Sequence, residues 1–258
     1  MTNISGVTTI AEVTTIAEVT TMKRQLTALV TGASNGIGEG IGRGFLARGD
    51  RVINVDIQPQ RHGDFTYIDA DLADAAATRE VAARIARDFE VDVIVNNAGN
   101  PTPGFLDEVT DAQFDLGVGI TMRTPLLLAQ ALTPGMRRRR FGRIVSISSR
   151  AILGKPARTV YSATKAAMVG FTRTWALELG KDGITVNAIA PGPVETELFL
   201  KNNPPDVAAR IISQTAVGRA GTTGDVARAV LFFADPDNGF VTGQVLHVCG
   251  GTSLTVNW

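Results

Sequence analysis

Apolar and polar positions alternate in blocks along the chain. From Lys23 onward, a short run rich in β-branched and apolar residues gives way to a turn and then to a stretch with helical spacing, and this unit repeats. The runs predict strands at Thr27–Thr31, Arg51–Asp56, Thr66–Asp69, 91–96, Gly142–Ile147, 185–190 and 244–248. Strands alternating with helical crossovers mean a parallel sheet. The predicted fold class is therefore α/β, a doubly wound, seven-stranded Rossmann-like sheet with helices on both faces. No Pro/Gly/Ser-rich linker divides the chain, so residues 23–258 are expected to form one domain. Residues 7–22 read VTTIAEVTTIAEVTTM, a six-residue unit given twice and begun again. Residues 1–22 are expected to be a flexible tail that the domain does not need.

Composition narrows the function. With 44% hydrophobic residues in a chain of 258, a large core is available and disorder is excluded as the dominant state. The 25 basic and 25 acidic side chains cancel, so no overall positive field gathers nucleic acid or anionic lipid. One cysteine, Cys249, and two histidines, His62 and His247, cannot make an internal disulfide or a multi-thiolate metal centre, and no metal is expected. Cys249 reads as a buried, inert thiol, and Arg137 to Arg140 as a solvated loop. No apolar run reaches the roughly 18 residues a membrane helix needs. No Lys or Arg precedes Lys23, and Glu12 and Glu18 interrupt the segment that a secretion signal would keep apolar. A cytoplasmic location is expected.

The first strand runs into Thr31-Gly32-Ala33-Ser34-Asn35-Gly36-Ile37-Gly38. A strand, a glycine-rich turn and a helix start let backbone N–H groups approach a pyrophosphate at the positive end of a helix. Gly40, Gly42 and Gly44 continue the glycines into the helix and are read as positions of close helix–sheet packing. The same turn also spells G-x-S-x-G around Ser34, the nucleophile elbow of serine hydrolases, with Asp235 and His247 as nominal partners. The second strand ends in Asp56, eighteen residues beyond Gly38, near the offset of about 20 at which an acid reaches the adenosine ribose. A carboxylate there accepts from both ribose hydroxyls and repels a 2′-phosphate, which selects NAD over NADP. Asn35 supplies no compensating charge in the turn, although Arg61 stands nearby in sequence.

Asn96-Asn97-Ala98-Gly99 closes the fourth strand and Ser148-Ser149 the fifth, and Tyr161-Ser162-Ala163-Thr164-Lys165 follows. Tyr161 and Lys165, four apart, share one face of a helix. A phenol is a poor base at neutral pH, and bringing it down by roughly three units takes about 4 kcal/mol, part of which a nearby cation can supply.

With these motifs in place, residues 23–253 resemble the short-chain dehydrogenase/reductase family of single-domain type. The resemblance rests on TGASNGIG, Asp56, Asp71-Leu72, NNAG, the Ser/Tyr/Lys set, Asn187 through Pro191-Gly192-Pro193-Val194, and VTGQVLHVCGG. It implies an enzyme that passes a hydride between NAD(H) and a secondary alcohol or ketone. Tyr161 would be the acid–base, Ser149 would hold the substrate oxygen, and Lys165 would bind ribose and keep the phenolate accessible. Cofactor contacts would come from Gly32, Ser34, Asn35, Gly36, Ile37, Gly38, Asp56, Asn97, Ala98, Tyr161, Lys165, Pro191 and Gly192. Asp71 and Leu72 would flank the adenine, Gly99 would let the backbone approach the ribose, and Val194 and Thr196 would hold the nicotinamide end and the phosphates. Relatives assemble through the helices carrying the Thr121 and Tyr161 regions, which implies a homotetramer.

Two departures stand out. Seven residues after Phe114 the family's Asn is replaced by Thr121, which lacks an amide, and this favours a non-catalytic NAD-binding protein as the alternative. Ser149 lies twelve residues before Tyr161 and Ser148 thirteen, the family's commoner spacing. Ser149 is taken as catalytic because the last Ser of the similar run serves that role. Substrate specificity is expected in the loop 151–159 and the segment 197–220, where Ile152, Leu153, Phe199 and Leu200 mix with Arg158 and Lys201, and Arg150 immediately precedes the first.

Overall fold

A computed structural model describes residues 24–101 and 103–254; the hexad repeat lies outside them. Seven strands form one sheet in the order β3-β2-β1-β4-β5-β6-β7, every pairing parallel. They are β1 Thr27–Thr31, β2 Arg51–Asp56, β3 Thr66–Asp69, β4 Val93–Asn96, β5 Gly142–Ile147, β6 Ile184–Pro191 and β7 Val245–Val248. The predicted strands are all present, with four displaced ends. β4 starts two residues after the predicted position, and Asp92 just before it accepts with its carboxylate from the Thr27 amide at 3.1 Å and from Arg24 at 2.7 Å.

The helices are α1 Gly36–Ala47, α2 Ala75–Asp88, α3 Asp111–Val118, α4 Thr124–Arg139, α5 Thr159–Leu179, α6 Glu197–Asn202, α7 Pro205–Ser213 and α8 Thr223–Ala234, with a π-helical turn at Gly119–Arg123 joining α3 to α4. Strand side chains point alternately to the two faces. Leu29, Ile94 and Ile144 pack with Ile85 of α2, Leu128 of α4 and Trp175 of α5. Ala28, Val30, Val93, Val95 and Val145 pack with Ile41 and Phe45 of α1 and Val226 and Val230 of α8. Each fully buried Leu, Ile or Phe contributes about 1.5–3 kcal/mol, which makes the two-layered core the main source of stability.

Two sequence readings change. A Cβ on Gly40 would lie 2.5 Å from that of Thr223, one on Gly42 2.6 Å from the Phe65 ring, and one on Gly44 3.2 Å from Leu231. The close approach is thus chiefly to α8, a helix, rather than to the sheet. Arg137 to Arg139 are not a loop but the last turn of α4, and Arg140 caps it at φ 55°. Positive charge is favourable at that helix end, and Arg137 is held by Asp182 at 2.9 Å while Arg139 donates to the Val91 carbonyl at 2.5 Å.

Strand order reverses between β1 and β4, which leaves a crevice at their carboxyl ends. The segments after β1, β4, β5 and β6 all emerge on that edge of the sheet and build the site.

Candidate active site

At the end of β1, Gly32 (φ 68°) and Gly36 (φ 57°) take the left-handed conformation that turns the chain into α1. A Cβ on Gly38 would stand 2.1 Å from the Gly32 carbonyl oxygen and 2.5 Å from the Asn97 amide nitrogen, so this position admits glycine alone. Gly36 instead looks across open space to Thr196, whose Cγ2 is 3.8 Å from where its Cβ would be. Thr196 caps α6 by accepting from the Phe199 amide at 3.1 Å. The first turn of a twelve-residue helix therefore opens toward a hydroxyl-bearing loop from β6, a geometry that suits a pyrophosphate.

Polar side chains brace the turn from below. The Asn97 amide donates to the carbonyls of Thr31 (2.9 Å) and Gly32 (3.0 Å), and Thr31 Oγ1 accepts from the amides of Asn97 and Ala98, both at 3.0 Å. Asn54, buried in mid-β2, accepts from the Ala33 amide at 2.9 Å and donates to Ser34 Oγ at 3.0 Å. Asp56 accepts from the amides of Ser34 at 3.1 Å and Gln58 at 3.0 Å. Its carboxylate stands at the lip of the crevice, half-buried. Leu72 is buried at the exit of β3 beside the exposed Asp71, on the same edge. At the opposite wall Gly192 donates to the Val248 carbonyl at 3.0 Å, and Val194 pairs with Gly221.

This arrangement disposes of the serine-hydrolase reading. Ser34 is 2% exposed and its hydroxyl donates to the Gln58 carbonyl at 2.6 Å. His247 sits on β7, four strands from β1, or about 19 Å away at normal strand spacing. Among the described residues the Ser34 hydroxyl is engaged by the Gln58 carbonyl and the Asn54 amide and by no histidine.

The second half of the crevice gathers Ser149, Tyr161 and Lys165 beside Gly99. Lys165 is buried, and its Nζ donates to the Ile147 carbonyl at 2.6 Å. The same Nζ would lie 3.2 Å from a Cβ on Gly99 and lies 5.8 Å from the centre of the Tyr161 ring. Burial pulls the Lys165 ammonium down to about 8. The Ser148 hydroxyl donates to the Lys165 carbonyl at 2.8 Å and is 2% exposed. Ser149 is half-buried, accepts from the Ala151 amide at 3.1 Å and lies close enough to the Tyr161 phenol to stabilise its phenolate. Of the two serines, only Ser149 is directed at the phenol.

Burial pushes the Tyr161 phenol up, while the Ser149 hydrogen bond and the charge of Arg158 pull the other way. Arg158, three residues upstream, thus adds its charge near the phenol, while the Lys165 Nζ lies 5.8 Å from the ring centre. The usual Asn position, Thr121, is 1% exposed inside the π-helical turn. Such turns widen a helix locally and are frequent at functional sites. Cys249 is buried as expected, with its Sγ 3.2 Å from Ser253 Oγ. Burial pushes that thiol up, but hydrogen bonds from Ser253, Thr252 and Gly251 together outweigh it.

The predicted cofactor residues lie at the ends of, or in the segments that follow, β1, β2, β3, β4 and β6 and in α5. Sequence reading missed Asn54, whose one clue is an amide within the apolar run VINV, and Lys155, which lies with Arg150 and Arg158 in the connection from β5 to α5. Arg61 forms a two-pronged pair with Glu197 at 2.6 and 2.5 Å, which ties the loop after β2 to α6. Among the described residues no helix is long and apolar enough to cross a membrane, and no cluster of His, Cys, Asp or Glu is placed to hold a metal.

Fold and site together define a nicotinamide-dinucleotide oxidoreductase. A family model described as enoyl-(acyl carrier protein) reductase matches residues 32–253. The (2S)-[(R)-hydroxy(phenyl)methyl]succinyl-CoA dehydrogenase subunit BbsD of Thauera aromatica is 37% identical over 240 residues, 88% of this chain and 96% of that protein. The 3-oxoacyl-[acyl-carrier-protein] reductase FabG of Escherichia coli is 34% identical over 234 residues, 87% of this chain and 96% of that one. A solved structure from Beutenbergia cavernae, described as an NAD(P)-dependent gluconate 5-dehydrogenase with bound NADP at low occupancy, superposes with a TM-score of 0.84. It is 32% identical and covers 89% of this chain and 97% of its own. The chain belongs to the short-chain dehydrogenase/reductase family.

Proposed function

We propose that this enzyme interconverts a secondary alcohol and a ketone with NAD(H) as the hydride partner and Tyr161 as the proton carrier. The observation that carries the reading is the gathering of Tyr161, with the Ser149 hydroxyl acting on its phenol, and the buried Lys165, whose Nζ lies 5.8 Å from the Tyr161 ring and faces Gly99. A bound nicotinamide would supply or accept the hydride. Ser149 would orient the substrate oxygen toward the phenol. Because burial raises the phenol above its ordinary value, Tyr161 is protonated near neutral pH and is poised to donate to a ketone oxygen. Oxidation of the alcohol requires the phenolate, so its rate should climb as pH rises above neutrality while reduction does not. Lys165 would reach the ribose past Gly99.

Relatives support the substrate class. The Thauera protein is named for dehydrogenating a compound with a hydroxy(phenyl)methyl group, and the Escherichia protein for reducing a 3-oxoacyl group; both names describe the two sides of a secondary alcohol–ketone pair. The Beutenbergia structure holds NADP. Preference for NAD here rests on the Asp56 carboxylate at the crevice lip and on the engagement of Arg61, the nearby cation, by Glu197. The kcat/KM for both cofactors across secondary alcohols and ketones, read by NADH absorbance, tests this. NAD should lead by at least about tenfold, the worth of one lost hydrogen bond to a charged group. An NADP advantage would overturn the cofactor assignment. The buried Thr121 favours one rival, a binding protein without turnover, and tight NADH binding with no turnover on any compound would establish it.

We also propose a homotetramer assembled through α4 and α5, whose outer faces leave Leu126 36% and Leu177 85% exposed. A monomeric mass by light scattering at micromolar concentration would refute it.

A further inference from the structure

We infer that the substrate carries an oxyanion, a carboxylate or a phosphate, and that Arg158 holds it with Lys155 and Arg150 alongside. The inference deepens the alcohol–ketone reading above and rests on it. The residues linking Ser149 to Tyr161 include Arg150, Lys155 and Arg158 and not one Asp or Glu. Elsewhere arginines are matched with acids: Arg61 with Glu197, Arg137 with Asp182, Arg219 with Asp225. Among the described residues, none of the three cations beside the site has a carboxylate oxygen within 4.0 Å. A basic surface loop usually stays solvated and mobile, but this one is held.

Ala157 takes the left-handed conformation at φ 55°, which L-residues other than Asn, Asp and Gly adopt rarely. The Gly104 amide donates to the Ala157 carbonyl at 3.1 Å, and Gly104 pairs with Arg158 across the mouth of the crevice. Arg158 is half-buried, and its Nη1 donates to the same Ala157 carbonyl at 2.8 Å. A guanidinium has five N–H donors in a fixed fork, so one main-chain bond orients it and leaves most of the fork for a ligand. Arg158 is the residue that caps the start of α5, three positions before Tyr161. Its charge acts on the Tyr161 phenol, and Lys155 is pulled down by partial desolvation and by the charges of Arg158 and Arg150. Three cations thus share one rim, and an oxyanion would relieve their mutual repulsion while setting the carbonyl of an oxo-acid against Tyr161.

The test compares wild-type enzyme with Arg158→Gln and Arg158→Lys. Substrates are 3-oxobutanoate, its methyl ester, and dihydroxyacetone phosphate, with malonate as a non-reacting probe titrated into the complex with reduced cofactor. In wild type, one of the two anionic compounds should exceed the neutral ester in kcat/KM by at least about tenfold, and which one does so separates carboxylate from phosphate. Arg158→Gln should lower kcat/KM for the anion at least tenfold more than for the ester, mainly through KM, and Arg158→Lys should restore part of the loss. Malonate should bind the Gln variant at least about tenfold more weakly, the scale of a charged hydrogen bond. Neither anion exceeding the ester, an equal loss for anion and ester in the variant, or unchanged malonate affinity would overturn the inference. Its failure is distinct from that of the parent reading: if Tyr161→Phe kept its turnover, the proton-carrier role would fall while malonate binding still reported on Arg158.

Discussion

At the dinucleotide end of the crevice the main chain does the positioning, and the side chains beneath it are tied to one another. Asn54, Asp56, Asn97 and Thr31 all bond the turn between β1 and α1, and Gly38 has no room for a methyl group. In the connection from β5 to α5 and in α6 the reverse holds. Leu153, Leu198 and Leu200 are exposed, and Arg150, Lys155 and Arg158 lack acid partners among the described residues. The difference separates what the family shares from what is particular to this chain. A pyrophosphate is bound by backbone geometry that few sequences can make, whereas a substrate is chosen by side chains on loops that tolerate change.

Substitutions should expose that contrast, most severely at the glycine turn. Gly38→Ala would place a Cβ 2.1 Å from the Gly32 carbonyl, and we expect a loss of about 3 kcal/mol or more, a Tm lower by roughly 6–12 °C, and dinucleotide affinity down more than about 100-fold. Gly63, with nothing within 4 Å of its added Cβ, is the control, and Gly63→Ala should leave Tm within about 2 °C. Similar melting of the two variants would mean the turn is not sterically specified.

Asp56→Ala removes the acceptor of the Ser34 and Gln58 amides as well as the proposed ribose contact. The expected result is a fall in kcat/KM for NAD of about 10- to 100-fold with a much smaller change for NADP. Equal losses for both cofactors would reduce Asp56 to a brace for the turn.

The smallest effect has the opposite sign. Burial lowers Lys165 from 10.5 to about 8, which corresponds to a cost of about 3 kcal/mol for holding the charge. Lys165→Met loses the bond to the Ile147 carbonyl but also that cost, so the inactive variant should gain about 1–2 kcal/mol at pH 7, or about 3–6 °C in Tm. The folded pKa is depressed, so the cost is present below pH 8 and disappears between about 8 and 10.5, where only the unfolded chain binds the proton. The Tm advantage of the variant should therefore shrink across that window. A constant gap would contradict the buried charge.

Much of the fold was legible because its signals are local. Block alternation located every strand to within two residues, and glycine spacing marked the turn. What escaped depends on contacts distant in sequence. The link from the Asp92 carboxylate to the Thr27 amide spans 65 residues, and the helical state of Arg137 to Arg139 comes from α4 continuing past Pro134. Spacing favoured Ser148 over Ser149, and only packing reveals that Ser148 is spent on the Lys165 carbonyl. The influence of Arg158 on Tyr161 follows from the backbone turn at Ala157 and its pairing with Gly104, which no motif announces.

The proton-carrier role of Tyr161 is tested most directly by Tyr161→Phe, with turnover and cofactor Kd measured on the same preparation. On the proposed reading the phenolic oxygen exchanges a proton with the substrate, while the glycine turn, Asp56 and Lys165 hold the cofactor. Turnover should fall by about 100- to 10,000-fold or beyond, with Kd changed by less than about threefold. A variant retaining more than half of wild-type turnover on a good substrate would contradict the account.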